Sequence, residues 1–410
     1  MKEILIVINT MGRAGAEKSL ISLLKSFDYS RVSVSLLSII DRGEVFLDVP
    51  KEVRILNKAP SYGPVLGTSG TLYIAGLVLK RLFRRLYILN YIAYTFQNIR
   101  LQLKQNKRFQ FDKLFWLLLA NTTRAPKREY DLCIAFIEGA ATYYAIDKVR
   151  AKKKCVFVHI NYEKAGYIRF FDAKYYQKAD YICCISEAVR EVFNRIYPEH
   201  TDKTKIFPNI ILADEIRANA KRGRGFNDNF TGIRLITVAR LHSQKGFDIA
   251  IPAFSDLVKA GHRNVRWYVL GDGNERGKLL KLIAKYKLNG RFILMGSKPN
   301  PFPYVAGADI YVQPSRFEGF PLTLTEALIL GKPCLVSNFE GIAEKLTNGE
   351  NAIIIELSKE NLTASLKELI DNSQLRERIT RGTQNLNFKF PNKTPVFYEL
   401  MESGSWMEND

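Results

Sequence analysis

Between Ala308 and Ala327 the sequence runs Ala-Asp-Ile-Tyr-Val-Gln-Pro-Ser-Arg-Phe-Glu-Gly-Phe-Pro-Leu-Thr-Leu-Thr-Glu-Ala, which brings two carboxylates, Glu318 and Glu326, to the start of one helix. A strand is expected to end near Val312, a loop to carry Glu318 and Gly319, and Pro321 to open a helix that stops at Gly331. The free N–H groups and dipole at that helix start suit a diphosphate or sugar hydroxyls. Two carboxylates at the same end repel a bare phosphate but accept hydrogen bonds from hydroxyl groups, so a ribose and a hexose fit. Thr237-Val-Ala-Arg-Leu-His-Ser-Gln-Lys-Gly246 adds two cations: a strand ending at Arg240 and a loop returning Lys245 to the mouth of the sheet let both meet one anion.

Tyr268-Val-Leu-Gly-Asp-Gly-Asn-Glu-Arg-Gly277 also follows a strand and opens a helix, as a dinucleotide-binding turn does. Such a site needs an acid about 20 residues further on for the ribose. No Asp or Glu lies between Arg276 and Ala308, so NAD binding is not expected. The four histidines (159, 200, 242 and 262) lack metal-ligand spacing and no Asp-x-Asp occurs, so neither a metal nor another cofactor is expected. In the first half, Val156-Phe-Val-His-Ile-Asn161 puts His159 at a strand's end, where ligands collect in open α/β sheets, and Met11-Gly-Arg-Ala-Gly-Ala-Glu-Lys18 joins the first strand to the first helix.

These segments need two frameworks to hold them. Strand-like and helix-like runs alternate through both halves, the pattern of an α/β protein with parallel sheets, and 410 residues exceed what one core organises. Two Rossmann-like domains facing across a cleft are expected. Residues 1–205 form an N-terminal, acceptor-side domain with a basic helical insertion at about 70–128; residues 206–390 form a C-terminal, donor-binding domain. Residues 391–410 are a tail that packs back on the first domain. The Gly-rich, polar stretch from Lys221 to Asn229 reads as an exposed connection.

The acidic pair with seven residues between, followed by Ala, resembles retaining glycosyltransferases of the two-domain B-type fold, specifically glycosyltransferase family four. The resemblance covers most of the chain outside roughly 45–128. It implies that Glu326 binds the donor ribose, that Glu318 contacts the transferred sugar, and that main-chain amides of Gly319, Phe320, Pro321 and Leu322 serve the sugar and phosphates. Arg240 and Lys245 would neutralise the donor pyrophosphate, Gly271 and Asp272 line the donor cleft, and Ser297 and Lys298 lie where relatives read the nucleobase. Gly15 matches the second glycine of a Gly-Gly-Ala-Glu turn that approaches the phosphates, although Ala14 replaces the first. His159 would face the transferred sugar. The implied reaction retains configuration: the acceptor attacks the face from which the diphosphate leaves, and a donor phosphate takes its proton. The donor is expected to be a UDP-linked hexose or N-acetylhexosamine. The acceptor is a hydroxyl of a glycan or polyprenyl-diphosphate-linked lipid in bacterial surface polysaccharide (capsule, O-antigen) biosynthesis.

Formal charge is +20, and residues 1–210 hold 34 Lys+Arg against 19 Asp+Glu. The insertion at 70–128 concentrates it, with twelve cations and one acid, Asp112. Leu79, Leu82, Phe83, Leu86 and Leu89 recur at helical spacing with Arg81, Arg84 and Arg85 on another face. That pattern fits either a surface helix packed on the sheet or an interfacial helix on anionic lipid. No apolar run reaches the length of a spanning helix, and the first apolar run is too short for a signal peptide. The expected location is the cytoplasm, peripheral on the inner face of the cell membrane. Two rivals stand beside this reading: a nucleotide-sugar epimerase or phosphorylase of the same fold, and a basic nucleic-acid-binding protein. Charge favours the latter, but no helix-turn-helix or RNA-binding signature accompanies it, so no nucleic-acid partner is expected.

Overall fold

The computed structural model describes the chain except residues 66–67, 83–91, 93–94, 97–98, 101–102, 104–110, 164, 166–168, 319–320, 340, 343–345, 387–391 and 407–410. It divides into two units, Met1–Ile211 with Pro391–Asp410, and Leu212–Phe390. The chain passes from one to the other at Ile211 and Leu212.

The first unit is built on seven strands: β1 (Lys2–Ile8), β2 (Val32–Ser38), β3 (Arg54–Ile55), β4 (Glu129–Ala135), β5 (Arg150–Val158), β6 (Tyr181–Cys184) and β7 (Thr204–Ile206). All pair in parallel, in the order β3-β2-β1-β4-β5-β6-β7. Ile4 to Ile8, Leu132 to Ala135 and Cys155 to Val158 are wholly buried, as expected of strands covered by helices on both faces. The second unit has six: β8 (Ile233–Val238), β9 (Val265–Leu270), β10 (Phe292–Gly296), β11 (Ile310–Gln313), β12 (Cys334–Ser337) and β13 (Ile353–Ile355). Their order is β10-β9-β8-β11-β12-β13, again all parallel. Each sheet therefore reverses its order once, between β1 and β4 and between β8 and β11. At such a reversal the loops leaving the carboxyl ends of two neighbouring strands part and open a crevice.

Two features differ from the sequence reading. The stretch from Lys221 to Asn229 is exposed at Lys221 to Arg224, Asn227 and Asn229 but tied down between them: Asp228 accepts from Arg234 (2.8 Å) and Arg266 (2.9 Å) and from the Tyr268 hydroxyl, while Phe226 lies 4.5 Å from the Tyr268 ring. It is docked onto β8 and β9. The strand before Lys245 ends at Val238 and leaves Arg240 in the following loop.

The end of the chain completes the first unit. Helix Pro395–Ser403 lays Phe397 against Phe207 (4.8 Å) and Phe27 (6.2 Å), and Trp406 against Tyr181 (5.5 Å). The amide N–H of Asp28 donates to the Tyr398 hydroxyl at 2.7 Å. The insertion is pinned at its end by a buried charge: Lys113, in helix Phe111–Thr122, pairs with Asp172, whose carboxylate also accepts from Tyr143 (2.5 Å) and Tyr162 (2.9 Å). Three donors on one carboxylate replace the water that both ions lose.

Candidate active site

At the second sheet's reversal, the loop after β8 with the first turn of the helix that follows it lies beside the loop after β11, fastened at three points. Arg316 donates to both oxygens of Asp248 (2.9 and 2.7 Å), holding that carboxyl below its usual range. Gln244 Nε2 donates to the Phe317 carbonyl at 2.7 Å. Between them Lys245 Nζ reaches both oxygens of Glu318, at 2.6 and 2.9 Å. Gly246 makes the approach possible. Its φ is 68°, and a Cβ there would stand 1.9 Å from the Pro314 carbonyl oxygen, so only glycine lets the loops cross. It also ends the short turn Ser243–Lys245 and starts helix Phe247–Lys259.

Glu318 is a carboxylate held in place by its own neighbourhood. Its side chain is 7% exposed and that of Lys245 15%. Oε1 takes three donors: Lys245, Ser315 Oγ at 2.6 Å and Gln313 Nε2 at 3.1 Å. The Tyr311 hydroxyl donates to Gln313 Oε1 at 3.1 Å and so fixes which way that amide points. Among the described residues Oε2 receives Lys245 alone. Oε2 is thus the atom with acceptor capacity left for a ligand hydroxyl, and its direction is fixed beforehand by Oε1.

Arg240 and Lys245, equivalent cations in the sequence reading, are not equivalent here. Lys245 is committed to Glu318. Arg240 is exposed, and among the described residues nothing pairs with its guanidinium.

The remaining expected residues fall around this edge. Helix Leu322–Ile329 starts after Pro321 and carries Glu326, 8% exposed, in its second turn; Gly319 and Phe320 lie outside the described residues. Gly271, at φ 144°, would place a Cβ 1.9 Å from the Ala239 carbonyl oxygen, and the Leu241 N–H donates to the Asp272 carbonyl at 3.0 Å. The loop after β9 is therefore laid on the loop carrying Arg240. The Gly271 N–H donates to the Gly296 carbonyl at 3.0 Å, which brings in the loop after β10 with Ser297, exposed, and Lys298, whose Nζ sits 5.8 Å from the Tyr304 ring centre.

In the first unit the reversal gathers a different set. Gly15 opens helix Gly15–Ser26 after the loop Asn9–Ala14 that follows β1, with Ala14 as its cap. Asn9 ties β1 to the loop after β4 by donating to the Glu138 carbonyl (2.9 Å) and accepting from the Ala141 N–H (2.7 Å). His159 follows β5, and its N–H donates to Glu138 Oε2 at 3.0 Å. Burial lowers the His159 imidazole to about 4, only partly opposed by a hydrogen bond to the Phe136 main chain, so the ring is neutral. Its Nε2 is buried with no partner among the described residues. A neutral ring with one nitrogen anchored and the other bare is an acceptor awaiting a donor. Burial likewise pushes the Glu138 carboxyl up, opposed by that His159 N–H. Of the insertion's arginines, Arg81 lies in helix Thr68–Leu82, and Arg84 and Arg85 lie outside the described residues, as do Phe83, Leu86 and Leu89.

Sequence reasoning missed Gln313 and Ser315, which hold Glu318, and Asn9 and Glu138, which hold the mouth of the first sheet. The first two stood in the same block, five and three residues before Glu318. Asn9 and Glu138 follow strands at the same edge as His159, the one signal that could have found them. Among the described residues no group of three or more His, Cys, Asp or Glu side chains gathers as metal ligands do, and no helix is long and apolar enough to cross a membrane.

Residues 225–386 match the family of glycosyl transferases group 1. The chain is 25% identical over 316 residues to the uncharacterised glycosyltransferase MJ1069 of Methanocaldococcus jannaschii, spanning 71% of this chain and 79% of that protein. It is 26% identical over 211 residues to the N-acetylgalactosamine-N,N'-diacetylbacillosaminyl-diphospho-undecaprenol 4-alpha-N-acetylgalactosaminyltransferase of Campylobacter jejuni, spanning 51% of this chain and 56% of that one. Among solved structures, Anabaena Alr3699/HepE in complex with UDP and glucose superposes with a TM-score of 0.65 at 16% identity, covering 99% of this chain and 100% of that one. TarM likewise gives 0.65 at 13% identity, covering 99% of both chains. The chain is thus similar to the glycosyl transferases of group 1 through residues 225–386, and its two parallel-sheet units have the GT-B fold.

Proposed function

We propose that this glycosyltransferase moves a hexose or N-acetylhexosamine from a UDP-linked donor, with retained configuration, to a hydroxyl of a glycan or polyprenyl-diphosphate-linked acceptor in surface polysaccharide assembly. One observation carries the reading: Glu318, fixed through Oε1 and open at Oε2, beside the Arg240 loop at the reversal of the second sheet. In this reading Oε2 takes a hydroxyl of the transferred sugar and Glu326 takes the ribose. Arg240 and the third N–H of Lys245 face the diphosphate. As the glycosidic bond breaks, negative charge grows on the diphosphate, and cations fixed beforehand stabilise that change without reorganising. The bare Nε2 of His159 accepts from a sugar hydroxyl, and Gly15 lets the loop after β1 approach the phosphates. No protein nucleophile and no metal enter the scheme; the donor phosphate takes the acceptor proton.

The relatives support this assignment. The Campylobacter protein is named for transfer to a diphospho-undecaprenol-linked sugar, others for lipopolysaccharide core and amylovoran biosynthesis, and HepE was solved with UDP-glucose. A lipid-linked acceptor places the enzyme at the cytoplasmic face of the membrane, where the basic insertion, Arg81, Arg84 and Arg85 included, meets anionic headgroups. A screen of nucleotide sugars for protection against thermal unfolding tests the donor: UDP-sugars should raise the midpoint and Glu318→Gln should blunt the effect of the sugar moiety. Protection by GDP- or ADP-sugars in place of UDP-sugars rules out the donor assigned here. Analysis of the product's anomeric configuration by NMR tests retention, and conversion of donor without acceptor would reveal an epimerase.

A further inference from the structure

Trp116 has no part in the scheme above, yet it stands at the mouth of the first sheet. It belongs to helix Phe111–Thr122, in which Lys113 is fixed to Asp172 one turn earlier, Leu119 is buried one turn later, and Leu114 and Leu117 pack on Phe171. These contacts lay the indole against Gly139, the residue before helix Ala140–Lys148. A Cβ on Gly139 would stand 3.3 Å from Trp116 Cδ1, 3.4 Å from its Cγ and 3.5 Å from Asn9 Nδ2. With φ at 89°, a side chain at Gly139 would be strained by the backbone and would crowd the indole as well. The indole thus rests on the residue next to Glu138, the carboxylate that receives the His159 N–H, in the loop that Asn9 ties to β1.

Two properties of Trp116 do not suit a side chain placed there for packing alone. It is only half-buried, and among the described residues its Nε1–H has no partner. A tryptophan sealed into a core normally finds an acceptor for that N–H. The neighbours narrow what the indole could take. An anion would meet the Glu138 carboxyl, and a hydrocarbon chain would leave both the indole N–H and the bare His159 Nε2 unpaired. A pyranose ring answers all of them, because it carries an apolar C–H face and a rim of hydroxyls that both donate and accept.

We infer that Trp116 is a stacking platform for a pyranose ring of the acceptor saccharide, its indole covering the ring's C–H face and its Nε1–H donating to a sugar oxygen. This rests on the transferase reading and names an acceptor subsite for it, supplied by the insertion's helix Phe111–Thr122.

Saturation-transfer NMR and tryptophan fluorescence of the full-length protein, with UDP present, test the platform with the methyl glycosides of glucose, galactose, N-acetylglucosamine and N-acetylgalactosamine as probes. One or more of these should bind the wild type and change its tryptophan emission. Trp116→Leu keeps an apolar side chain without the aromatic face and should weaken that glycoside about tenfold, whereas Trp116→Phe should recover most of the affinity. The emission change should vanish in both variants, since Trp267 is buried in the second unit and Trp406 packs on Tyr181. If Trp116→Leu does not fold, the emission change in the wild type and its loss in Trp116→Phe decide the same question. Binding by Trp116→Leu as tight as that of the wild type assigns the indole to packing and overturns the platform, as does failure of every glycoside to bind the wild type. A rise of the wild-type melting midpoint with UDP-sugar then leaves the transferase reading standing. Glycoside binding that depends on Trp116 without any such rise keeps the platform as a saccharide site and overturns the donor reading.

Discussion

The two units share a strand plan and one reversal, yet what they place at that reversal is opposite in kind. In the second unit the mouth is ionic: Lys245, Glu318, Arg316 and Asp248 bind one loop to another, and Arg240 stands exposed beside them. In the first it is buried. His159 is held uncharged by burial, the Glu138 carboxyl is pushed up, and Phe136 and Phe157 stack within 5.1 and 5.9 Å of the imidazole. A diphosphate demands fixed cations, while a sugar hydroxyl demands acceptors that do not attract counter-ions. In the proposed reading one scaffold serves both, because the loops leaving the strands differ.

Substitutions at the ionic mouth test that contrast most strongly. Lys245→Ala removes a cation from the proposed leaving group and the charge partner of Glu318. Turnover should fall about 10³-fold, and stability by about 3 kcal/mol, measured by steady-state kinetics and urea unfolding. The buried mouth should show itself through pH. The His159 imidazole ionises at 6.5 in the unfolded chain and at about 4 when folded. Unfolded protein therefore takes up a proton first, and stability falls as pH drops from about 6.5 to about 4, by up to about 3 kcal/mol. His159→Asn should flatten that limb. Glu138, raised by burial, acts in the opposite sense, losing its contribution as pH rises above 4.5, so the difference between wild type and variant isolates the histidine. Glu318→Gln keeps the shape but weakens acceptance at Oε2. It should cost about 10²-fold in turnover, with a melting midpoint that changes far less than in Lys245→Ala. Arg240→Ala should have the smallest effect, roughly tenfold weaker donor affinity by calorimetry with unchanged stability, since its side chain is exposed. If Arg240→Ala and Lys245→Ala destabilise equally, the distinction between the two cations is wrong.

The ionic mouth was also the more legible. Glu318, Gln313 and Ser315 lie within six residues, so the end of β11 and the loop after it deliver the carboxylate and two of its donors, and turn chemistry before a helix marks them in the sequence. The partnership of Lys245 with Glu318 spans 73 positions and could be anticipated only because both residues follow strands at one edge. Arg240 and Lys245 looked alike because sequence gives charge type, whereas the Gly246 crossing that brings one of them to Glu318 is a three-dimensional event. The first unit hid more. Lys113 and Asp172 stand 59 residues apart, and a lysine among twelve cations reads as surface until its carboxylate is seen. The Lys221–Asn229 stretch was read as an exposed connection, and most of it is exposed, but its polar composition hid that Asp228 answers Arg234 and Arg266.

The return of residues 391–410 to the first unit bears on biosynthesis. Phe27, Tyr181 and Phe207 leave the ribosome before the second unit, and the rings that cover them, Phe397 and Trp406, follow only after it. At roughly 5–20 residues per second, translating the second unit alone takes about 9–36 s. For that interval the nascent first unit presents an uncovered aromatic surface, an opening for chaperones or for misassembly. Maturation of the first half is thereby timed by completion of the second.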